Sequence, residues 1–309
     1  MSPSVSTAPT SASLGDIALD DGTFAVVAMD QRNTLKRMYA AVGNDSPTIE
    51  DLQGIKEDTI AALSPLASAF LLDPTYGVPA LHAVRDSLDR VPGMLVAAEP
   101  ESRPKYGDEP RAAIDVAQNA RWVLDQGGSA VKFLIQVRAD RVAAAGEPDL
   151  TAEAVDVIRQ VVEDCRATGV PSVIENLIYP LPGETLSPTA RADAIIEAAV
   201  ALDALEPDLL KLEYPGSPAA CRRLAGSLHV PWAVLSAGVG FDEFEDVLRV
   251  SCDEGGASGF IAGRAVWKDA VGMAPEARRE HLRSEGLRRL DGCLQAIAGR
   301  ARPWQEVAR

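Results

Sequence analysis

The chain has 309 residues, of which 47% are hydrophobic and 24% charged, and its formal net charge is -15. This length is typical of one barrel of repeated β/α units and allows a large buried core. The acidic balance argues against nucleic acid or an acidic membrane surface as a partner, since both bind basic faces. A phosphorylated small molecule remains possible, because a few local cations are enough to bind it.

The N-terminal segment, residues 1–15, is rich in Ser, Thr, Pro and Ala. It lacks the basic region and the apolar region of a secretory signal, so we predict a flexible tail. No apolar run reaches the roughly 18 residues of a membrane span. No linker or composition break interrupts the rest, so we expect residues 16–309 to form one domain with a helical extension at its C-terminus.

Eight short apolar runs alternate with longer amphipathic segments after this tail. Continuous apolar runs predict strands that are buried on both faces, as in parallel sheets. The runs span residues 24–30, 67–73, 93–99, 130–136, 171–176, 208–214, 231–236 and 258–263. Helical segments lie between them; one opens at Thr151 and ends at Gly169, as N-cap and C-cap preferences predict. This order predicts the α/β class and a (β/α)8 TIM barrel, with an open doubly wound sheet as the alternative.

Cysteine and histidine residues are few and scattered. The four cysteines form no CxxC pair, and the three histidines show no ligand spacing. We therefore predict no metal and no cofactor, and reduced thiols in a cytoplasmic protein.

Polar residues end most of the predicted strands. In a TIM barrel the active site lies at the C-terminal ends of the strands, so these side chains should converge at one rim. They are Asp30, Gln31 and Arg32 after the first strand, Asp73, Glu99, Lys132, Glu175, Asn176, Lys211, Glu213, Ser236, Gly263 and Arg264.

Two lysines, Lys132 and Lys211, interrupt apolar strands. A buried ammonium is unfavourable unless it is paired or neutralised; the plainer interpretation is a lysine that pairs with a carboxylate or extends to solvent. Each of two neighbouring ammoniums should lower the pKa of the other, and burial should lower both pKa values. The result is a free amine that can attack a carbonyl carbon. Glu175 is then the candidate general acid and base, with a simple salt bridge to a lysine as its alternative.

Glycine-rich segments follow the last two predicted strands, at residues 236–240 and 262–264. Loops at these places in a barrel commonly bind phosphate through backbone N–H groups. Arg264 would add a charge-assisted pair of hydrogen bonds.

The chain resembles the tagatose-bisphosphate aldolase family over about residues 15 to 275. The MDQR segment at residues 29–32 and the set Lys132, Glu175 and Lys211 carry the resemblance. It implies a class I aldolase in which Lys211 forms the Schiff base, Lys132 is a second active-site lysine and Glu175 is the acid and base. It also implies that Asp30 and Gln31 form a polar pair in the site, and that the C1 phosphate binds to Ser236, Gly238, Gly263 and Arg264.

Two segments, VRAD at 137–140 and GASGFIAGRAVW at 256–267, look closer to the sulfofructose-phosphate aldolases within this family. We therefore expect a homo-oligomeric lyase of sulfoglycolysis that cleaves 6-deoxy-6-sulfofructose 1-phosphate to dihydroxyacetone phosphate and 3-sulfolactaldehyde. Arg32 and Arg138 are the candidates for the far end of this sugar phosphate, although Arg138 could instead be a surface arginine paired with Asp140. The alternatives are a tagatose or fructose 1,6-bisphosphate aldolase, a zinc-dependent class II aldolase and a non-catalytic sugar-phosphate sensor.

Overall fold

A closed barrel of eight parallel strands forms the centre of the computed structural model, which describes residues 11–307. Each strand pairs with its neighbours in chain order, and the last closes on the first. The barrel strands are β1 Phe24–Met29, β2 Ala69–Leu72, β3 Gly93–Ala97, β4 Ala130–Ile135, β5 Ser172–Asn176, β6 Leu209–Leu212, β7 Trp232–Val234 and β8 Gly259–Ala262. Each lies inside one predicted apolar run. The TIM-barrel prediction is confirmed, and the open sheet is excluded.

Helices surround the barrel. They are α1 Asn33–Ala41, α2 Ile49–Leu63, α3 Gly77–Val84, α4 Ala120–Asp125, α5 Leu150–Thr168, α6 Pro188–Asp203, α7 Pro218–Ala225, α8 Phe241–Asp253, α9 Arg264–Trp267, α10 Pro275–His281 and α11 Leu287–Ile297. A short antiparallel hairpin, Lys105–Tyr106 with Glu109–Pro110, lies between β3 and β4. The long helix α5 ends at Gly169, which adopts a left-handed conformation and closes the helix as predicted. Between residues 11 and 307, no helix is long and apolar enough to cross a membrane.

Alternate residues of each strand face two separate cores. On β1, Phe24, Val26 and Ala28 pack in the barrel interior, whereas Ala25 and Val27 pack against the helices. Successive side chains of a strand point to opposite faces, so this alternation follows from strand geometry. Both faces are buried, which explains the continuous apolar runs.

The N-terminal end of the barrel is closed by a 3-10 helix, Leu14–Ile17. Leu14 and Ile17 are buried against the interior core, and the Ile17 carbonyl accepts a hydrogen bond from the Ser68 hydroxyl. The predicted boundary of the flexible tail at residue 15 therefore falls inside a packed element. The rest of that prediction, on residues 1–10, lies outside the described residues.

Candidate active site

A cavity of about 520 Å³ opens at the C-terminal ends of the barrel strands. Its walls include Asp30, Gln31, Arg32, Arg37, Glu99, Glu101, Arg103, Glu175, Arg191, Lys211, Glu213, Ser236, Ala237, Gly263 and Arg264. A larger cavity, about 910 Å³, lies at the opposite end of the barrel, beside Leu14 and Trp304. The smaller cavity is the candidate site, because the polar strand ends meet there.

Strand parity places three of the predicted residues in the barrel interior. On β4 the interior face carries Ala130, and two residues further along is Lys132. The same spacing leads from Val173 to Glu175 on β5 and from Leu209 to Lys211 on β6. Glu175 and Lys211 are also direct partners in the register of these two strands. Their convergence follows from the two-residue period of a strand.

The carboxylate of Glu175 lies between the two lysines. Its Oε2 atom is 2.9 Å from Nζ of Lys211 and 3.0 Å from Nζ of Lys132. Lys132 makes two further ion pairs at 2.7 Å, with Asp30 Oδ2 and Glu99 Oε1. Lys132 is 0% exposed, Lys211 4% and Glu175 6%. The site is therefore a buried, hydrogen-bonded array of alternating charges.

The two lysines differ in their surroundings. Burial lowers the pKa of Lys132, but the carboxylates of Asp30, Glu175 and Glu99 outweigh it and raise that pKa well above its ordinary value. The expected mutual lowering is thus wrong for Lys132, since three carboxylates surround it. Lys211 has Glu175 as its only carboxylate within ion-pair distance in the part of the chain that the structure describes. Lys211 is the lysine better placed to react as an amine.

The pKa values of the carboxylates Glu175 and Asp30 shift in the opposite direction, below their ordinary values. Burial raises the pKa of Glu175, but Lys132 and Lys211 outweigh it, so its pKa is below the ordinary value. Burial also raises the pKa of Asp30, and the same two lysines hold it well below its usual range. Both carboxylates are therefore ionised at neutral pH and can accept protons when a reaction supplies them.

The residues after β1 line one side of the cavity. The side-chain amide of Gln31 donates to Asp30 Oδ1 at 3.1 Å, and its buried Oε1 atom has no hydrogen-bond partner among residues 11–307. The guanidinium of Arg32 donates to the Glu99 carbonyl at 3.3 Å. The structure thus brings all three predicted residues to the site.

The predicted phosphate loops meet on the side of β7 and β8. Ser236, Gly263 and Arg264 line the cavity, whereas Gly238 does not. Gly238 has φ +88°, and a Cβ there would lie 3.2 Å from Nη1 of Arg264. A Cβ on Gly263 would lie 1.9 Å from the Ala28 carbonyl oxygen, so only glycine fits between β8 and β1. Gly238 therefore lies against the guanidinium of Arg264 and does not itself line the cavity.

Arg138 does not reach the cavity. Its side chain is 1% exposed, and its guanidinium donates to Asp140, to Glu184 and to the Tyr179 carbonyl. The pairing with Asp140 was the alternative interpretation, although the residue is buried rather than on the surface. The prediction that Arg138 binds substrate is corrected, because its guanidinium is held by these partners within the fold and does not line the cavity.

Several residues that line the cavity were not predicted as site residues from the sequence. Glu99 stood at a predicted strand end but was given no role, and it proves to be a partner of Lys132. Arg37 lies in a helix and Arg103 in a loop, so neither stands at a strand end, where the sequence analysis placed the site. Among residues 11–307, no group of three or more His, Cys, Asp or Glu side chains is arranged to hold a metal ion.

Comparison with known proteins adds the following similarities. Residues 24–269 match the model of the DeoC/LacD family aldolases. Tagatose 1,6-diphosphate aldolase 2 of Streptococcus pyogenes serotype M1 is 30% identical over 93% of this chain and 94% of its own. Tagatose 1,6-diphosphate aldolase 1 of Streptococcus mutans is 29% identical, with 93% and 95% covered. Fructose-bisphosphate aldolase from Plasmodium falciparum has the same fold, with a TM-score of 0.68, 14% identity and 94% of each chain covered.

Proposed function

This chain belongs to the DeoC/LacD family of aldolases, which are carbon–carbon lyases, and we propose that it cleaves a ketose 1-phosphate through a Schiff base on Lys211. The observation that carries this proposal is the single Glu175 oxygen shared by Lys211 and Lys132. It places a proton acceptor within hydrogen-bond distance of the amine that must lose protons.

Schiff-base formation begins when the Nζ atom of Lys211 attacks the C2 carbonyl carbon. The Lys211 ammonium loses two protons to Glu175 in succession, one before the attack and one from the carbinolamine that the attack forms. Glu175 returns both to the C2 oxygen, which leaves as water and leaves an iminium ion with one N–H. Lys132 stays charged throughout, because Asp30 and Glu99 hold it there. Its ammonium compensates the negative charge of Glu175 without competing as a nucleophile.

Carbon–carbon cleavage follows from the iminium ion on Lys211. Glu175 removes the proton of the C4 hydroxyl, the C3–C4 electron pair moves toward the iminium nitrogen, and the aldehyde half leaves. The enamine that remains takes at C3 the proton that Glu175 gained from the C4 hydroxyl, and Glu175 is again ionised. Water then hydrolyses the new iminium ion, releases dihydroxyacetone phosphate and restores the amine.

The C1 phosphate is proposed to bind beside Ser236, Gly263 and Arg264. Arg264 lines the cavity and has no carboxylate within ion-pair distance among the described residues. An unpaired guanidinium in a chain of net charge -15 is available for an external anion, and its planar fork matches a phosphate.

A second anionic group is proposed at the other end of the substrate. Arg32, Arg37 and Arg103 line the cavity, and the structure, over residues 11–307, gives them no ion pair. A buried Nη1 atom of Arg103 also has no hydrogen-bond partner there. The loop of Arg103 extends from β3, whose end is four places from that of β7 in the closed order of eight strands. The Arg32 guanidinium reaches the same loop, at the Glu99 carbonyl. Glu101 of the same loop also lines the cavity, and its single negative charge neutralises only part of the positive charge of the three arginines.

The nature of that second anion decides the substrate. The sulfofructose-phosphate hypothesis rested on the segments 137–140 and 256–267, with Arg32 and Arg138 as candidates for the far end of the substrate. Of these two arginines, Arg32 lines the cavity and Arg138 lies away from it. Three arginines suit a phosphate monoester, which carries nearly two charges, better than a sulfonate, which carries one. We therefore propose a ketose 1,6-bisphosphate of the tagatose or fructose type as the preferred substrate, and 6-deoxy-6-sulfofructose 1-phosphate as the alternative to measure beside it. The homo-oligomeric state and the cytoplasmic location stay predictions.

Borohydride reduction in the presence of dihydroxyacetone phosphate tests the proposal. A Schiff base on Lys211 is reduced to a stable secondary amine, which mass spectrometry of the peptides locates. An adduct on Lys132 alone would show that Lys132, and not Lys211, forms the Schiff base. Binding of dihydroxyacetone phosphate without any adduct or turnover would support the sugar-phosphate sensor.

A further inference from the structure

A third buried lysine lies behind the site. Lys56 of α2 is 0% exposed and does not line the cavity. Its Nζ atom donates to the carbonyls of Met29 and Gln31 and to the carboxylate of Asp73. An ammonium has three N–H donors, so these partners use all of them.

Asp73, the ion-pair partner of Lys56, is itself held in place. Its Oδ1 atom accepts the backbone N–H groups of Thr75 at 3.0 Å and Tyr76 at 2.8 Å, and its Oδ2 atom accepts that of Gly77 at 3.2 Å. Asp73 is 0% exposed. The start of α3 therefore fixes this carboxylate, and the carboxylate fixes the end of the Lys56 side chain.

The two carbonyls that bind Lys56 belong to the residues on either side of Asp30. One ammonium thus restrains the peptide groups before and after Asp30, and with them the direction of its side chain. Asp30 projects to Lys132, whose Nζ atom lies 2.7 Å from Asp30 Oδ2 and 3.0 Å from the Glu175 carboxylate. The chain of contacts runs from Lys56 through Asp30 and Lys132 to the proposed acid and base.

We propose that Lys56 is a positioning residue for the aldolase reaction, which holds Asp30 against Lys132 and thereby sets the place of Glu175 beside Lys211. This inference rests on the proposed function. A lysine that served only to neutralise Asp73 would need one of its three contacts. The two contacts to the strand end that carries Asp30 are the ones that connect it to the reaction.

The test compares the double variant Lys56→Met/Asp73→Asn with wild type. Removing both charges avoids an unpaired buried carboxylate, and the Oδ1 atom of the introduced asparagine can still accept the N–H groups of Thr75 and Tyr76. We expect kcat for cleavage of fructose 1,6-bisphosphate to fall about 10- to 100-fold, the range for small misplacement of catalytic groups. The borohydride adduct with dihydroxyacetone phosphate on Lys211, measured at equilibrium, should persist.

A matched control removes another ion pair of the same helix, which is partly buried. Arg278 pairs with Asp58 of α2 at 2.6 Å, away from the cavity. If Arg278→Met/Asp58→Asn lowers kcat as much as the Lys56 pair does, the loss reflects general destabilisation and the proposal fails. Wild-type kcat in Lys56→Met/Asp73→Asn would also overturn it, because Lys56 would then only neutralise Asp73.

A single variant and a double-mutant cycle test the proposal if the double variant folds poorly. Lys56→Arg keeps the charge opposite Asp73 but cannot place one nitrogen on all three acceptors, so its kcat should fall; an unchanged kcat counts against the proposal. Because Lys56 acts through Asp30, Lys56→Arg should lower kcat little further in an Asp30→Asn background, whereas additive losses would contradict it. A wild-type enzyme without any Lys211 adduct would instead reject the proposed function.

Discussion

Glu175 and Lys211 are direct register partners on adjacent barrel strands, and their charged atoms lie 2.9 Å apart. Backbone pairing therefore fixes the distance between the proposed acid and base and the proposed nucleophile. Neither a loop movement nor a side-chain rearrangement is needed to bring them together. Because β5 and β6 are rigid barrel strands, the distance between the two side chains should already be set before substrate binds.

Replacement of Glu175 by Gln should lower kcat for aldol cleavage by about 10²- to 10⁴-fold, the usual contribution of a general acid and base. The amide keeps the size of the side chain but cannot accept and return a proton. Steady-state cleavage of fructose 1,6-bisphosphate measures the effect. Glu213→Gln is the control, because Glu213 also lines the cavity but pairs with Arg191; an equal loss in both variants would argue against a specific role for Glu175.

Activity should survive prolonged treatment with excess EDTA. Lys211 supplies the electron sink that a metal ion provides in class II enzymes, so the proposed reaction needs no metal. The measurement is kcat/KM before and after chelation and after re-addition of zinc. Loss on chelation with recovery on zinc would reject the Schiff-base mechanism.

Replacement of Arg264 by Ala should lower kcat/KM for phosphorylated ketoses by roughly 10- to 150-fold. The variant loses a hydrogen bond between charged groups, which contributes about 1.5–3 kcal/mol. Arg121→Ala is a matched control, since Arg121 is exposed on α4 and lies away from the cavity. Equal activities of the two variants would place the C1 phosphate elsewhere.

Arg103 should determine the preference for a second anion. We expect Arg103→Ala to reduce the ratio of kcat/KM for fructose 1,6-bisphosphate to that for fructose 1-phosphate by about 10-fold or more, for the loss of one charged hydrogen bond. The ratio cancels effects on the common C1 phosphate and on the chemical step. An unchanged ratio would separate Arg103 from the second anion.

The same assay with the wild-type enzyme compares tagatose 1,6-bisphosphate with 6-deoxy-6-sulfofructose 1-phosphate. Three arginines without ion pairs among residues 11–307 should favour the bisphosphate, because its terminal group carries more charge. A strong preference for the sulfonate would restore the sulfofructose-phosphate assignment and leave the Schiff-base proposal unaffected.

Replacement of Arg138 by Met should destabilise the fold and leave aldol cleavage unchanged. Loss of the charged hydrogen bond to the Tyr179 carbonyl alone should lower the free energy of unfolding by about 1.5–3 kcal/mol. Hydrogen bonds from Arg138 lower the pKa values of Asp140 and Glu184. Carboxylates with lowered pKa values stabilise the fold above their unfolded pKa values near ~4, and this stabilisation disappears as the pH falls through the folded values. The difference between wild type and variant, measured by urea unfolding, should therefore be larger at neutral pH than in acid.

The sequence by itself determined the barrel and predicted most of the residues of the candidate site. Parallel strands buried on both faces leave continuous apolar runs, and an interruption of such a run by Lys132 or Lys211 is visible without a structure. The polar strand ends at Asp30, Glu175 and Arg264 were equally visible, because all barrel strands end at the same rim.

Only the tertiary structure decided how these charges combine. The two lysines suggested mutual lowering of their pKa values, but Glu99 and Asp30 come from other strands and hold Lys132 charged. Lys56 lies on a helix, where a lysine is an ordinary surface residue, and only packing shows that it reaches the strand end beside Asp30. The direction of Arg138 depends on a loop, for which no periodicity exists. The position of each strand follows from the local pattern of apolar residues along the chain. The ion-pair partners of a buried charge, in contrast, are residues distant in the chain that only folding brings together.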